Sequence, residues 1–509
     1  MEERTCLKDL FIGKTDGAVE SKEDNFQELF YDPFNKYKEL MSGKEKFLVL
    51  GFKGTGKTYL AKYVEAMAKR GQYVNIVGEN DFILCKLNVM SQEKLDEELA
   101  NALCKWFLLD RLARLVIESR PIRAKWIPFS KTYSLNKFLK YFESDDIFKQ
   151  VKMIAESTKE MKTQCETSLD KNKKNRKYSI LGTKNKGEKY SVENVRKEFF
   201  ELIQPLEQKV FKAIGKRDSY TIIVDDLDEI KNNEESVGRD EVIINMLKVA
   251  REYNLKKMPI DLKYVILLRT EILDDLQVKY SNLNKTITSC SVELYWLFDS
   301  TYSEPYNHPL MSMILHKIKK KSQKYSNYSN KELYELLFPE SIDNKKPLDY
   351  LLDYGFGRPR DFVTFLDCAQ KMCPDQGCFN AHVMKEARKK YSPCFYEELL
   401  NQSAYYGNPE FVTQCLQLLS SVKKASFTHA YFEAIYNEGK DNYPCIKSVD
   451  DALKFLYKIG AIGNSWKVLQ GNGIKKTHFG WAYKKDAMND VDLSKRFTIH
   501  YGLRKKFSM

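Results

Sequence analysis

The segment that most constrains this chain is Gly51–Thr58, which reads Gly-Phe-Lys-Gly-Thr-Gly-Lys-Thr. An apolar run, residues 47–50, precedes it and an amphipathic segment follows it, and in this strand-loop-helix context the pattern binds phosphate. Glycines let the backbone approach a phosphate group, and the start of the helix adds unpaired N–H groups and a partial positive charge. We therefore predict a nucleotide site formed by Gly51, Gly54, Thr55, Gly56, Lys57, Thr58 and Tyr59.

Two side chains of this segment have predicted chemical roles. Lys57 is expected to reach the β- and γ-phosphate oxygens, and the Thr58 hydroxyl is expected to bind Mg²⁺. The alternative is a glycine-rich turn that matches the pattern by chance. The flanking strand and helix signals favour the phosphate site strongly over that alternative.

A second motif follows the apolar run 220–224, which ends in the adjacent carboxylates Asp225 and Asp226. Carboxylates at the end of a strand beside a phosphate loop are what a phosphoryl-transfer site requires. We predict that Asp225 orients Mg²⁺ and that Asp226 polarises the attacking water. Alone, such a strand end would usually be a turn, so the prediction depends on the glycine-rich segment upstream.

Arginines at two further positions are candidates for contact with a phosphate. Arg269 ends the apolar run 264–268, and a charge there needs a partner, either a γ-phosphate or a surface carboxylate. The sequence Gly357-Arg358-Pro359-Arg360 resembles the loop before a helix, with Pro359 in the first turn. Arg358 or Arg360 could project toward a phosphate, or either could be an ordinary surface residue.

The alternation of apolar runs and amphipathic segments predicts an α/β protein with a parallel sheet. At 509 residues the chain is long enough for two to four domains. We predict four: a lead-in helix segment at 1–45, a nucleotide-binding core at 46–304 with a helical insert at about 105–200, a helical lid at 305–404, and a domain at 405–509. The last contains three short helices and a β-hairpin, which is a winged-helix outline.

Composition limits the cellular setting and the partners. No apolar run reaches membrane-spanning length and the first residues lack a signal-peptide pattern, so we expect a cytoplasmic protein without a membrane partner. Eleven scattered cysteines fit reduced thiols. Zinc binding by Cys368, Cys373, Cys378 and His382 is the less favoured interpretation, because their spacing is unusual.

The formal net charge of +13 permits a nucleic-acid partner but does not favour one, because the lysines are distributed along the chain. The basic runs 171–177 and 184–189 could bind a phosphate backbone, but a solvated loop is the favoured interpretation. In the winged-helix outline the third helix begins with Asp450 and Asp451, and carboxylates at that position oppose DNA. We therefore expect this domain to face a protein or the bound nucleotide.

Taken in order, these motifs resemble the P-loop ATPases of the branch that joins the AAA+ and STAND classes. The sequence is similar to bacterial ATPases with an Asp-Asp-Leu-Asp Walker B motif found in anti-phage defence systems. The resemblance implies that Arg269 is a γ-phosphate sensor, that Arg360 is a second sensor, and that the turn at Pro359 lies near the adenine. It also places His500 where some STAND proteins contact ADP. The insert is longer than in compact AAA+ domains, and no arginine lies between Arg269 and Val292.

The resulting hypothesis is an ATP-binding and hydrolysing switch that uses Mg²⁺, converts ATP and water to ADP and phosphate, and acts with a separate protein partner or effector. A homo-oligomer is left open. The alternative is a DNA-binding loader-type AAA+ ATPase, for which ATP hydrolysis raised by DNA would be evidence. A third interpretation is an adaptor that binds nucleotide without turnover.

Overall fold

The computed structural model describes residues 5–78, 97–128, 130–142, 192–225, 227, 237–280, 283–297, 304–403, 408–469, 475–484 and 490–509. These residues form two compact units. The first, which we call the sheet unit, comprises residues 34–52 and 57–294. The second, the C-terminal unit, comprises residues 1–33, 53–56 and 295–509, so the tip of the glycine-rich segment groups with it.

The sheet unit is built on parallel strands. Within the described residues the sheet has five strands in the order β2-β3-β4-β1-β5, and each is parallel to its neighbours. Their bounds are β1 Leu48–Leu50, β2 Gln72–Val77, β3 Ser219–Val224, β4 Asp261–Leu268 and β5 Ser291–Glu293. β1 and most of β3 and β4 are buried, as expected for a sheet covered by helices on both faces. Residues 82–89, whose sequence pattern is typical of a strand, lie outside the described residues.

Helices of the sheet unit span Lys36–Met41, Lys57–Ala66, Glu97–Glu118, Ile122–Trp126, Lys131–Phe142, Val192–Ala213, Val237–Leu255, Thr270–Lys279 and Leu283–Cys290. The helix Glu97–Glu118, which enters the predicted insert, is apolar on most of its surface, so it is buried among other helices and against β3. Helices make up most of the described residues of the predicted insert. The basic runs 171–177 and 184–189 lie outside it.

The predicted lead-in segment is shared by the two units. Its helix Lys36–Met41 is followed by Ser42 and packs near β5. Residues 5–33 instead belong to the C-terminal unit, where Leu7, Leu10 and Ile12 join the hydrophobic core. The apolar side chains at the start of the chain explain this association, since exposing them to water would be unfavourable.

The C-terminal unit has one continuous hydrophobic core, which includes residues from Leu7 to Phe507. It contains both the predicted lid and the predicted last domain. Its helices span Gly17–Glu20, Phe26–Leu29, Pro309–Lys321, Asn330–Leu337, Pro347–Tyr354, Pro359–Met372, Ala381–Ser403, Pro409–Ser421, His429–Glu438, Val449–Lys458 and Tyr501–Arg504, with 3-10 turns at Leu7–Asp9, Pro305–Asn307 and Lys440–Asn442.

Three short helices and a hairpin are present near the end of the chain, as the sequence predicts. The strands are β6 Ser426–Phe427, β7 Ile462–Leu469, β8 Lys475–Gly480 and β9 Arg496–Ile499. They pair antiparallel in the order β6-β9-β7-β8, and β7 and β8 form the hairpin. The assignment of this region as a winged helix stays a prediction. Throughout the described ranges, no helix is both long and apolar enough to cross a membrane.

Candidate functional site

Three candidate groups follow neighbouring strands of the parallel sheet. The glycine-rich segment follows β1, Asp225 follows β3 and Arg269 follows β4, which lies between β1 and β3. Because the carboxyl ends of parallel strands lie at the same edge, the sheet brings these groups to one edge.

The glycine-rich segment adopts backbone angles that favour glycine. Gly54 has a φ of 86° and Gly56 a φ of 101°, in the region that residues with a Cβ rarely occupy. The helix Lys57–Ala66 starts directly afterwards. The Lys57 ammonium group donates hydrogen bonds to the carbonyl oxygens of Gly51, at 2.8 Å, and Phe52, at 3.2 Å. The ammonium group is thus held at the start of the segment by two backbone acceptors.

Thr58 and Asp225 are in direct contact, although 167 positions separate them in the sequence. The Thr58 hydroxyl donates a hydrogen bond of 2.6 Å to Oδ2 of Asp225. Asp225 is buried, and its backbone N–H donates to the carbonyl of Val77 at 2.8 Å. A hydroxyl and a buried carboxylate are oxygen donors of the kind that Mg²⁺ prefers, so the pair fits the predicted cation. Asp226, the predicted group that polarises water, lies outside the described residues.

Arg269 occupies the residue between β4 and the helix Thr270–Lys279. Its backbone is extended, with a φ of −74° and a ψ of 140°, and its side chain is half-buried. These angles end the strand and start the helix at the sheet edge. Its role as a γ-phosphate sensor stays a prediction.

In the C-terminal unit, Arg358 is fixed by an ion pair at the start of a helix. Its guanidinium group donates to both carboxylate oxygens of Asp361, with a shortest distance of 2.8 Å, and both side chains are buried. Pro359 is the first residue of the helix Pro359–Met372, as predicted. Gly357 precedes them with a φ of 69°, and a Cβ there would lie only 2.4 Å from a side-chain carbon of Leu297. The turn therefore requires glycine.

Three consecutive carbonyl groups at the tip of the glycine-rich segment accept hydrogen bonds within the C-terminal unit. The Lys53 carbonyl accepts from Nη1 of Arg358 at 2.8 Å, and the Gly54 carbonyl accepts from the backbone N–H of Arg360 at 3.4 Å. The Thr55 carbonyl accepts from Nε1 of Trp296 at 3.0 Å. The sequence suggested Arg358 only as an alternative to Arg360, and it gave no signal for Trp296.

Arg360, the predicted second sensor, has other partners for its side chain. Its guanidinium group forms a 3.2 Å ion pair with Glu398 and donates to the carbonyl of Thr15 at 3.2 Å. Its Cβ and Cδ lie over Gly54, where an added Cβ would be 3.0 Å from the Arg360 Cβ. Arg360 is thus next to the loop tip. The sensor role and the position of Pro359 near an adenine stay predictions.

His500, the predicted ADP contact, is fully buried in an aromatic cluster. Its ring stacks on Phe395 with centroids 4.7 Å apart, and its Nδ1 accepts from the N–H of Gly502. Burial lowers the pKa of the imidazole to about 3, so the ring is neutral at physiological pH. A contact with ADP stays a prediction.

The alternative zinc cluster is not assembled in the part of the chain that the structure describes. There, no three His, Cys, Asp or Glu side chains are placed to hold a metal ion together. Cys368 is buried, and burial raises the pKa of its thiol to about 12. A thiol with so high a pKa is a poor metal ligand at neutral pH, because the ligand is the thiolate.

Comparison with known protein families finds a match for one segment of the chain. Residues 308–400 match the FunZ-associated C-terminal helical domain, which corresponds to most of the predicted lid. No curated protein matches the sequence. Among solved structures, the chain is similar to the Walker-type ATPase PABY2304 of Pyrococcus abyssi, with 14% identity, a TM-score of 0.36, and coverage of 89% of this chain and 94% of that one.

Proposed function

We propose that this protein binds ATP with Mg²⁺ and hydrolyses it to ADP and phosphate. The observation that supports this most directly is the 2.6 Å hydrogen bond between Thr58 and the buried Asp225. This hydrogen bond joins Thr58, the residue after the lysine of the phosphate pattern, to the carboxylate at the end of β3. Nucleotide-hydrolysing sites place a metal-binding hydroxyl and a carboxylate together in this way, because Mg²⁺ must bridge the protein and the phosphates.

Each candidate residue then has a role. The backbone N–H groups of the glycine-rich segment and the Lys57 ammonium group neutralise the phosphates. Thr58 would hold Mg²⁺ and Asp225 would orient it, and the bound ion would supply positive charge beside the phosphates. Asp226 orients the attacking water, and Arg269 contacts the γ-phosphate from the end of β4.

Hydrolysis in this proposal acts as a switch. A nucleotide that binds two arrangements of the protein unequally shifts the population between them, and this changes the surface offered to a partner. We propose that the partner is a separate effector of a bacterial anti-phage defence system, on the basis of the Asp-Asp-Leu-Asp motif. The match of residues 308–400 to the FunZ-associated C-terminal helical domain supports a helical module at this place in the chain.

Steady-state ATP hydrolysis by the wild type, Lys57→Ala and Asp226→Asn tests this function. We expect hydrolysis in the wild type and a loss of about 100-fold or more in either variant, because each removes charge stabilisation or the orientation of water. Arg388→Ala, which changes a residue far from the glycine-rich segment in the sequence, is the control and should leave hydrolysis unchanged. No hydrolysis by the wild type would leave only nucleotide binding, and equal hydrolysis in all variants would contradict the assignment.

A second candidate function, DNA binding by a loader-type ATPase, is supported by the hairpin β7–β8. Residues 462–485 include five lysines and no carboxylate. Lys467 and Lys476 are exposed, and neither has an ion-pair partner among the described residues. The carboxylate of Asp450, which was expected to repel DNA, is hydrogen-bonded to His429 at 2.6 Å.

Adding duplex DNA to the hydrolysis assay separates the two candidates. Hydrolysis that rises several-fold with DNA, and that loses this response in Lys467→Glu/Lys476→Glu, would favour the loader. Binding to DNA should then weaken steeply with salt, because lysines that contact phosphates release counterions. Hydrolysis that ignores DNA would favour the protein-directed switch.

A further inference from the structure

We propose that Arg358 and Trp296 are positioning residues that orient the backbone N–H groups of Gly54 and Gly56 toward a bound phosphate. The backbone N–H of Arg360 acts in the same way on the N–H of Thr55 between them. This inference rests on the proposed nucleotide site and adds a mechanism to it. It is carried by the three consecutive carbonyl groups, of Lys53, Gly54 and Thr55, that accept hydrogen bonds from donors far away in the sequence.

The geometry of the peptide bond links these carbonyls to the amides. A trans peptide group is planar, so its C=O and the N–H of the next residue point in opposite directions. Fixing the carbonyls of residues 53, 54 and 55 therefore fixes the N–H groups of residues 54, 55 and 56, which point away from the donors. Successive N–H groups that converge form a concave site for an anion.

The donors are well suited to hold the carbonyls in place. Arg358 is 3% exposed and is held by Asp361, and its guanidinium carbon lies 4.7 Å from the centre of the Phe356 ring. The Nη1 atom of Arg358 also donates a hydrogen bond of 3.3 Å to Oε1 of Gln402, so several contacts fix the position of the guanidinium group. The Arg360 donor is a backbone N–H in the first turn of a helix, a group that has no partner within the helix itself.

Preorganised donors matter because they remove the cost of ordering the loop when the ligand arrives. A flexible glycine segment loses backbone entropy when binding fixes its residues. Donors that order the segment beforehand spare this loss. Removing one carbonyl contact should thus weaken binding of the phosphate without touching any group that contacts it.

Trp296→Phe is the sharpest variant, because it removes the indole N–H and keeps an aromatic ring in place. We expect its dissociation constant for Mg²⁺-ADP and its KM for ATP to rise about three- to tenfold, the usual worth of one hydrogen bond, with kcat changed less. The melting temperature without nucleotide should stay at the wild-type value. Trp466→Phe, in the hairpin, is the matched control and should leave both nucleotide constants unchanged.

Arg358→Lys tests the second donor. Lysine keeps the charge beside Asp361 but cannot bond the carboxylate and the Lys53 carbonyl with one planar fork. We expect nucleotide binding to weaken, by less than in Arg358→Met. Full binding in both Trp296→Phe and Arg358→Lys would overturn the positioning role, as would a loss that Trp466→Phe shares. Absence of nucleotide binding in the wild type would instead overturn the proposed function itself.

Discussion

The glycine-rich segment is divided between the two units, and the sequence encodes its two parts in different ways. In the sheet unit, the candidate side chains belong to short motifs that follow strands, so Lys57, Thr58 and Asp225 are each identified by a short stretch of sequence. In the C-terminal unit, the donors that hold the carbonyls of the loop tip are 241 and 305 positions from their acceptors. The difference shows that the chemistry of this site is encoded locally, whereas the orientation of its backbone depends on distant residues.

Both units contain buried charges, and the partners of these charges differ from site to site. In the sheet unit the buried Asp225 accepts a hydrogen bond from a hydroxyl, whereas the buried Asp110 forms ion pairs with Arg111 and Arg114. In the C-terminal unit the buried charges are paired with opposite charges: Lys317 with Glu20 at 2.5 Å, and Arg358 with Asp361 at 2.8 Å. Removing one partner of such a pair leaves an uncompensated charge, so these pairs make the C-terminal unit sensitive to single substitutions.

The largest effect is expected for Lys317→Met, which leaves the buried Glu20 carboxylate without the opposite charge of Lys317. Breaking a buried pair from one side costs about 3–5 kcal/mol, because the remaining charge stays desolvated. Hydrogen exchange should become faster in the helix Pro309–Lys321 and stay unchanged in β3 of the sheet unit. This outcome would sharpen the distinction between the units.

Two further variants control this result. Glu20→Gln/Lys317→Met removes both charges and should recover part of the loss. Lys371→Met removes one partner of the exposed pair with Asp367, and exposed pairs contribute about 0–1 kcal/mol. Equal acceleration of hydrogen exchange in both units would contradict the expectation that the loss of this pair leaves the sheet unit unchanged.

The next effect concerns the sheet unit and its predicted cation. Asp225→Asn keeps the size of the side chain but removes the charge beside the Thr58 hydroxyl. We expect the Mg²⁺ concentration that gives half-maximal hydrolysis to rise about 10- to 100-fold, the usual cost of losing a group that supports a metal ligand. The melting temperature reports whether folding is affected. An unchanged Mg²⁺ requirement would argue that Asp225 only anchors Thr58.

A third effect is the pH dependence of the C-terminal unit. The pKa of His500 is lowered to about 3 by burial, and the unfolded chain has a histidine pKa of about 6.5. Below pH 6.5 the unfolded state therefore binds a proton that the folded state does not, so the folded state loses stability as the pH decreases. At pH 5 the expected loss is about 2 kcal/mol.

His500→Asn isolates this contribution, since asparagine can still accept the hydrogen bond from Gly502 at the start of the helix. Urea unfolding of the wild type at pH 7 and pH 5 should show the loss, and the variant should show a smaller one. Burial also lowers the pKa of His308, to about 4, so part of the dependence should remain. An identical dependence in both proteins would exclude His500 as its source.

How far the sequence predicts the structure depends on whether the interactions are local. Runs of apolar residues and turn residues predict the strands β1, β3 and β4, the turn at Pro359 and the helices Pro409–Ser421, His429–Glu438 and Val449–Lys458. The association of residues 5–33 with the C-terminal unit could not be predicted, because Leu7, Leu10 and Ile12 would be equally well buried in any core. The same reason hides Trp296, whose N–H has no preferred partner until the fold supplies one.

The smallest effect is expected at the loop tip itself, for Gly54→Ala. The φ of 86° at this residue costs an alanine about 1–2 kcal/mol, and its Cβ would lie 3.0 Å from the Cβ of Arg360. Relaxing the φ would turn the neighbouring N–H groups, so nucleotide binding should weaken about tenfold, which corresponds to that cost. Gly480→Ala, where an added Cβ would have its nearest neighbour at 3.4 Å, is the control. If Gly54→Ala binds nucleotide as the wild type does, the local backbone is not the limiting feature, and the contrast between locally and distantly encoded parts of the site loses its main support.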